Sequence, residues 1–223
     1  MTQVCRPAKC IEAIRVALID QCTFAPVPGA MNGYAMGCLR DVSWTPDVEA
    51  GEESVLKSDC GDLCWPPDVQ CDRTKKWDLE FKIAGPDPEF LALIEGNPLI
   101  VDTGVSIGVR EVAYSCSPYL FVELWERTDG CEGDGDAIYF RHIFPAIRLK
   151  QTGNEKEGVF RTPSIEGKTT SVVTTTIGNG PYDDIPVAYT SGAPATEKTD
   201  YIWFEDTDPP VVACGAIAVP VQA

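Results

Sequence analysis

Three groups of residues have types suited to chemistry. Residues 129–136, Asp-Gly-Cys-Glu-Gly-Asp-Gly-Asp, set four carboxylates among three glycines. Hard oxygen donors this close together suit calcium. The spacing is not that of an EF-hand loop, however, and no terminal glutamate ligand follows. The stretch also joins two strong strand patterns, where Gly and Asp are ordinary turn residues. Cys60, Cys64 and Cys71 gather three thiols, but the chain has no C-x2-C pair, and structural zinc takes tightly spaced ligand pairs. His142 is the only histidine, set inside the apolar run FRHIF. No G-x-S-x-G elbow accompanies it, so neither a Ser–His–Asp nor a Cys–His arrangement has its parts. Phosphate-loop and dinucleotide fingerprints are also absent. These residues predict a non-enzymatic protein with no cofactor and no metal.

Charge narrows the partners. The 223 residues carry 34 acids and 18 bases, a formal net charge of −16. Residues 41–100 alone hold 14 acids against 5 bases. Such a chain repels phosphate, which excludes a basic nucleic-acid groove. The N-terminus MTQVCRPAKC lacks the apolar centre of a signal peptide, and no run approaches the ~20 apolar residues of a membrane-spanning helix. Ten cysteines in a chain expected to stay in a reducing compartment are read mostly as small buried hydrophobes.

The elements that must position these residues have a period of two. Trp77, Leu79, Phe81 and Ile83 alternate with Asp78, Glu80 and Lys82, giving a strand with one apolar and one charged face. Residues 119–126, YLFVELWE, predict a strand buried on both faces. Residues 137–149 predict two strand pieces with a bulge or break at Pro145. Residues 170–177, TSVVTTTI, are β-branched at seven of eight positions, the strongest local strand signal in the chain. Weaker strands are expected near 11–19, 36–44, 53–58, 105–113, 158–162, 200–204 and 211–219. One short helix is expected at about 87–95: Asp87 as N-cap, Pro88 at the first position, and Gly96 as the stop. Many strands, one helix and frequent turns predict a mainly β fold, a sandwich or barrel. Residues 1–190 form the expected main domain, and 191–223 a C-terminal extension packing on its own or a neighbouring subunit. Residues 45–60 are acidic and sit between strand patterns. They predict a long polar loop or arm carrying Asp47, Glu49, Gly51, Glu52 and Glu53.

Several pieces in one order resemble a known family. Pro26-Val27-Pro28-Gly29 follows a first strand ending in Ile19-Asp20, and the acidic run from Asp47 to Glu53 comes next. Asp59-Cys60-Gly61-Asp62-Leu63-Cys64 precedes the alternating Trp77-Asp78-Leu79-Glu80-Phe81. Then come the stretch from Asp87 to Pro98, Val122-Glu123-Leu124-Trp125 and Gly180-Pro181-Tyr182-Asp183. Over residues 11–185 this order resembles the major tail (tail tube) proteins of long, non-contractile-tailed bacteriophages, particularly those infecting actinobacteria. The resemblance implies a β-sandwich or barrel with one flanking helix, and hexameric rings that stack into a tube. It implies inner strands of neighbouring subunits joined around the channel, with the 45–60 arm and the termini as ring-to-ring contacts. The implied partners are further copies of the chain, a tape-measure protein, a tail terminator and a distal tail protein. Viral DNA would pass through the lumen without specific binding. The implied place is the virion tail, assembled in the host bacterial cytoplasm. Two other readings stand beside it: another virion or surface β-domain (capsid decoration or adhesion module), and a metal-dependent hydrolase using 129–136 or the Cys60–Cys71 cluster.

Overall fold

The computed structural model describes residues 8–37, 39–49, 53–54, 68–69, 73–85, 87–112, 116–128, 139–157, 160–194, 196–206, 209–210 and 215–221. It is mainly β. The first strands are β1 (Ala8–Leu18), β2 (Gly29–Met36), β3 (Leu39–Glu49), the two-residue β4 (Glu53–Ser54) and β5 (Asp68–Val69), and β6 (Arg73–Ile83). The helix α1 (Pro88–Glu95) follows, then β7 (Leu99–Asp102), β8 (Val105–Val109), β9 (Leu120–Thr128), β10 (Tyr139–Glu157) and β11 (Phe160–Thr169). The chain finishes with β12 (Val172–Val173), β13 (Lys198–Thr199), β14 (Ile202–Asp206) and β15 (Gly215–Val219). No helix among the described residues is long and apolar enough to cross a membrane.

Nine strands share one antiparallel sheet in the order β15-β2-β1-β9-β10-β11-β6-β3, with β14 joined to β10 beside that path. The sheet curls, because strands distant in this order fill one core. Val16 of β1, Tyr34 of β2, Leu124 of β9, Phe144 of β10, Ile165 of β11 and Phe81 of β6 pack together, with Trp44 of β3 against them. Each such side chain contributes roughly 1.5–3 kcal/mol by leaving water. On the other face of the sheet a second core joins Phe121, Ile143 and Ala146 to Val172, Ile177, Ile185 and Phe204. β9 is therefore buried on both faces, as its dense apolar run requires.

The helix starts and stops where its caps dictate. The Asp87 carboxylate accepts from the amides of Glu89 and Phe90, and Gly96 closes the helix in the left-handed region at φ 67°. Its buried Phe90 and Ile94 face the core, where the Phe90 ring lies 5.3 Å from Tyr34.

The structure changes three sequence expectations. The 137–149 stretch is one continuous strand, β10, rather than two pieces. Its register against β9 shifts between Phe144 and Ile147, at Pro145. The extra residue reverses the alternation, so that Phe144 and Ile147 both reach the inner core. Residues 170–177 pair only over Val172–Val173 and then turn into a 3-10 helix at Thr174–Thr176. There the Thr174 amide donates to the Glu197 carbonyl, and Val172 and Ile177 drop onto the outer core. Tertiary packing thus outweighs β-branched propensity. A strand over 29–36 was not expected, yet β2 lies between β1 and β15. Of the ten cysteines, read mostly as buried, Cys10, Cys22 and Cys116 are exposed free thiols, and the other seven lie outside the described residues. As for the C-terminal segment, β14 and β15 belong to the main sheet of this same chain.

Candidate assembly surfaces

The β3–β6 pair carries the first residues of the predicted arm. Asp47 pairs with Lys76 and Glu49 with Arg73, so the two strands remain paired where the sequence turns acidic, with a register shift between Asp47 and Val48. Asp47, Val48 and Glu49 are all exposed, and Glu49 is bridged to Lys75 at 2.8 Å. Glu53 lies in β4, paired with Val69 of β5. Gly51 and Glu52 lie outside the described residues. Among the described residues β3 has a partner strand on one side only, as do β15 and β14. A bordering strand offers unpaired N–H and C=O groups, a template for another chain.

The outer face of β10, β11 and β6 is a polar trough of about 660 Å³ lined by Lys76, Asp78, Arg148, Lys150, Glu166 and Lys168. Its charges are set against one another across strands: Lys150 lies 3.1 Å from Glu166 and Lys168 3.2 Å from Asp78. Exposed pairs of this kind add little stability, about 0–1 kcal/mol, but they cancel charge locally.

The β7–β8 hairpin turns through Thr103 and Gly104, both at positive φ, as a two-residue hairpin turn requires. It is fastened to α1 and to the border of the sheet through one carboxylate. Glu89 accepts from the Ser106 hydroxyl at 2.8 Å and from the Ala216 amide of β15 at 3.3 Å. Ile100, Val101, Val105 and Ile107 of the hairpin point to solvent.

Beneath the outer layer lies a buried ion network. Glu123 of β9 is fully buried and receives Arg15 Nε on one oxygen and Arg141 Nη2 on the other, each at 2.5 Å. Asp184 binds the same two guanidiniums at 2.6 Å, and Asp206 reaches Arg141 at 3.1 Å. Both guanidiniums lie 5.0 Å from the Trp125 ring. Burial pushes the Asp184 carboxyl upward, but the two arginines outweigh it and hold its pKa below the ordinary value. Glu123 is closed to substrate and faces two arginines. Its chemistry is that of a clasp, holding the 174–190 segment on the sheet. Sequence reasoning passed over these residues. The available signal was a charge inside each of two dense apolar runs, Glu123 in VELW and Arg141 in FRHIF, since charges buried on such strands must be paired.

His142 is a structural residue in this arrangement. Its Nε2 lies 3.1 Å from Glu126 and its Nδ1 2.6 Å from the Tyr201 hydroxyl. The carboxylate can only accept, so Nε2 carries the proton and Tyr201 donates to Nδ1. Burial lowers the His142 pKa against the pull of Glu126, and burial pushes Tyr201 up to about 12. The 129–136 loop and Cys60, Cys64 and Cys71 lie outside the described residues. Among the described residues no three His, Cys, Asp or Glu side chains gather where they could hold a metal.

No protein-family model matches this chain, and no curated protein matches it.

Proposed function

We propose that this protein is a structural virion subunit that assembles with copies of itself into stacked, hexameric rings, forming a bacteriophage tail tube that conducts DNA. The observation that carries the reading is the unfinished sheet. Among the described residues β3, β14 and β15 each have one partner strand, and β3 ends in the exposed acidic residues Asp47 and Glu49. Strand borders that would be liabilities in a monomer become joints in a ring, and the two faces of a ring remain free to stack.

The order of sequence pieces between residues 11 and 185 supports the same reading, as does the charge. A ring of six would carry on the order of a hundred formal negative charges, which keep DNA off the wall within the ~8 Å screening length of physiological salt. The polar trough on β10, β11 and β6, with Lys150 and Lys168 tied to carboxylates, suits a surface that a polyanion slides past.

Electron microscopy of the purified protein at rising concentration tests this. Hollow tubes of uniform width are expected. A particle that stays a single subunit at every concentration contradicts the reading and favours a decoration or adhesion module.

A further inference from the structure

We propose that the β7–β8 hairpin of one copy docks on the free border of β14 in the next copy. The contact is head-to-tail and joins two unlike apolar surfaces. The inference rests on the assembly reading above and names the surfaces through which neighbours meet.

The first surface is the hairpin. A lone two-stranded hairpin is marginal in water, and this one is separate from the main sheet. Yet Ile100, Val101, Val105 and Ile107 are 45, 57, 61 and 60 % exposed. Together they present on the order of 400 Å² of apolar surface, about half of what one partner contributes to a standard interface. The strand β8, Val105–Val109, is five residues long and pairs only with β7 among the described residues.

The second surface is β14, Ile202–Asp206, also five residues long and paired only with β10 among the described residues. Its open border is flanked by aromatics on both faces. Trp203, 57 % exposed, stands edge-on to Phe140 on one face; Tyr189, 45 % exposed, stacks on Phe204 on the other. Trp and Tyr are the side chains that most often anchor interfaces. A five-residue strand added at this border pairs with the side of β14 that has no partner strand among the described residues, and covers Val105 and Ile107. It also supplies the area that the hairpin alone lacks.

Where one copy's hairpin meets the next copy's border without the reverse contact, the interface is not a twofold one. It is a heterologous one, which closes into a ring or continues as a filament.

Two variants test this by sedimentation, with circular dichroism and melting used to show that each is folded. The hairpin variant carries Val105→Asp and Ile107→Asp; the border variant carries Trp203→Asp. Each alone is expected to need at least a tenfold higher concentration than wild type to assemble. Mixed, they are expected to form one-to-one dimers and nothing larger, because the border variant keeps a good hairpin and the hairpin variant keeps a good border. Should an aspartate variant fail to fold, Ile107→Ser and Trp203→Ser serve in its place. A mixture that stays monomeric overturns the proposal. If wild type builds tubes and both variants do so equally well, the hairpin contact is wrong and the tail-tube reading stands. If wild type forms rings that the variants abolish but never stacks, the contact stands and the tube reading falls. A wild type that is monomeric at every concentration overturns both.

Discussion

Asp184 grips the Arg15 guanidinium at 2.6 Å across 169 residues of chain. Through that bond, and its twin to Arg141, the segment after β12 is held against the outer face of β1, β9 and β10. Tyr182 in the same segment donates to the Val16 carbonyl at 2.7 Å and lies flat enough for Arg15 to sit 3.9 Å from its ring. The second layer of the fold is thus fastened by a few polar bonds around a buried charge.

Removing that charge should be costly. Glu123→Gln keeps the shape but leaves two buried guanidiniums without their central partner. Breaking a buried ion pair on one side costs about 3–5 kcal/mol. Urea unfolding should show a loss of that size. A change below ~1 kcal/mol, the scale of an exposed pair, would mean that water screens the network.

His142 should make the fold sensitive to mild acid. Burial depresses its folded pKa below the ordinary value of 6.5. Between the folded and unfolded values the unfolded chain holds the proton and the native one does not. Stability is therefore whole above pH 6.5 and declines as pH falls below it. Wild type should lose melting temperature between pH 7.5 and 5.5, and His142→Asn should lose less over that interval. Equal losses in the two proteins would contradict this assignment.

Phe81 sits in the inner core at 2 % exposure, with its ring 6.4 Å from Phe90. Phe81→Ala should cost about 3–5 kcal/mol through lost burial and a residual cavity. Thermal melts of the two proteins compare this directly, and a near-wild-type melt would show that the neighbouring side chains collapse into the space.

The register of β3 against β6 shows where the arm can be removed. Glu49 and Arg73 are directly paired, so an Asn-Gly turn can join them in place of 50–72. The shortened protein should fold with a cooperative melt, since the paired strands β3 and β6 are kept whole. It should form rings but not stacks. Tubes of normal length under the microscope would show that the arm is a surface loop.

Local signals in the sequence were most informative where one residue decides one backbone feature. Asp87, Pro88 and Gly96 bracket the helix because capping is chemistry within a few residues. Pro145 marks the bulge in β10 for the same reason. The strand β2 was hidden because Gly29, Asn32 and Gly33 look like turn residues. Gly33 is small for a tertiary reason: a Cβ there would collide with the Tyr182 hydroxyl and the Ile217 carbonyl. The threonines at 174–176 misled because their hydrogen bonds go to Glu197 and Val173, not to a ladder. The acidic run was legible as composition, and the structure places its first residues, Asp47 and Glu49, in β3. Nothing local could pair Arg15 with Glu123 and Asp184, which lie 108 and 169 residues away.

Amide hydrogen exchange, compared between assembled and dissociated protein, tests most directly whether copies of the chain finish one another's sheets. Assembly should slow exchange along the free borders of β3 and β14 and leave the central strand β9 unchanged. Assembled particles in which β3 and β14 exchange as fast as in the lone subunit would contradict the account.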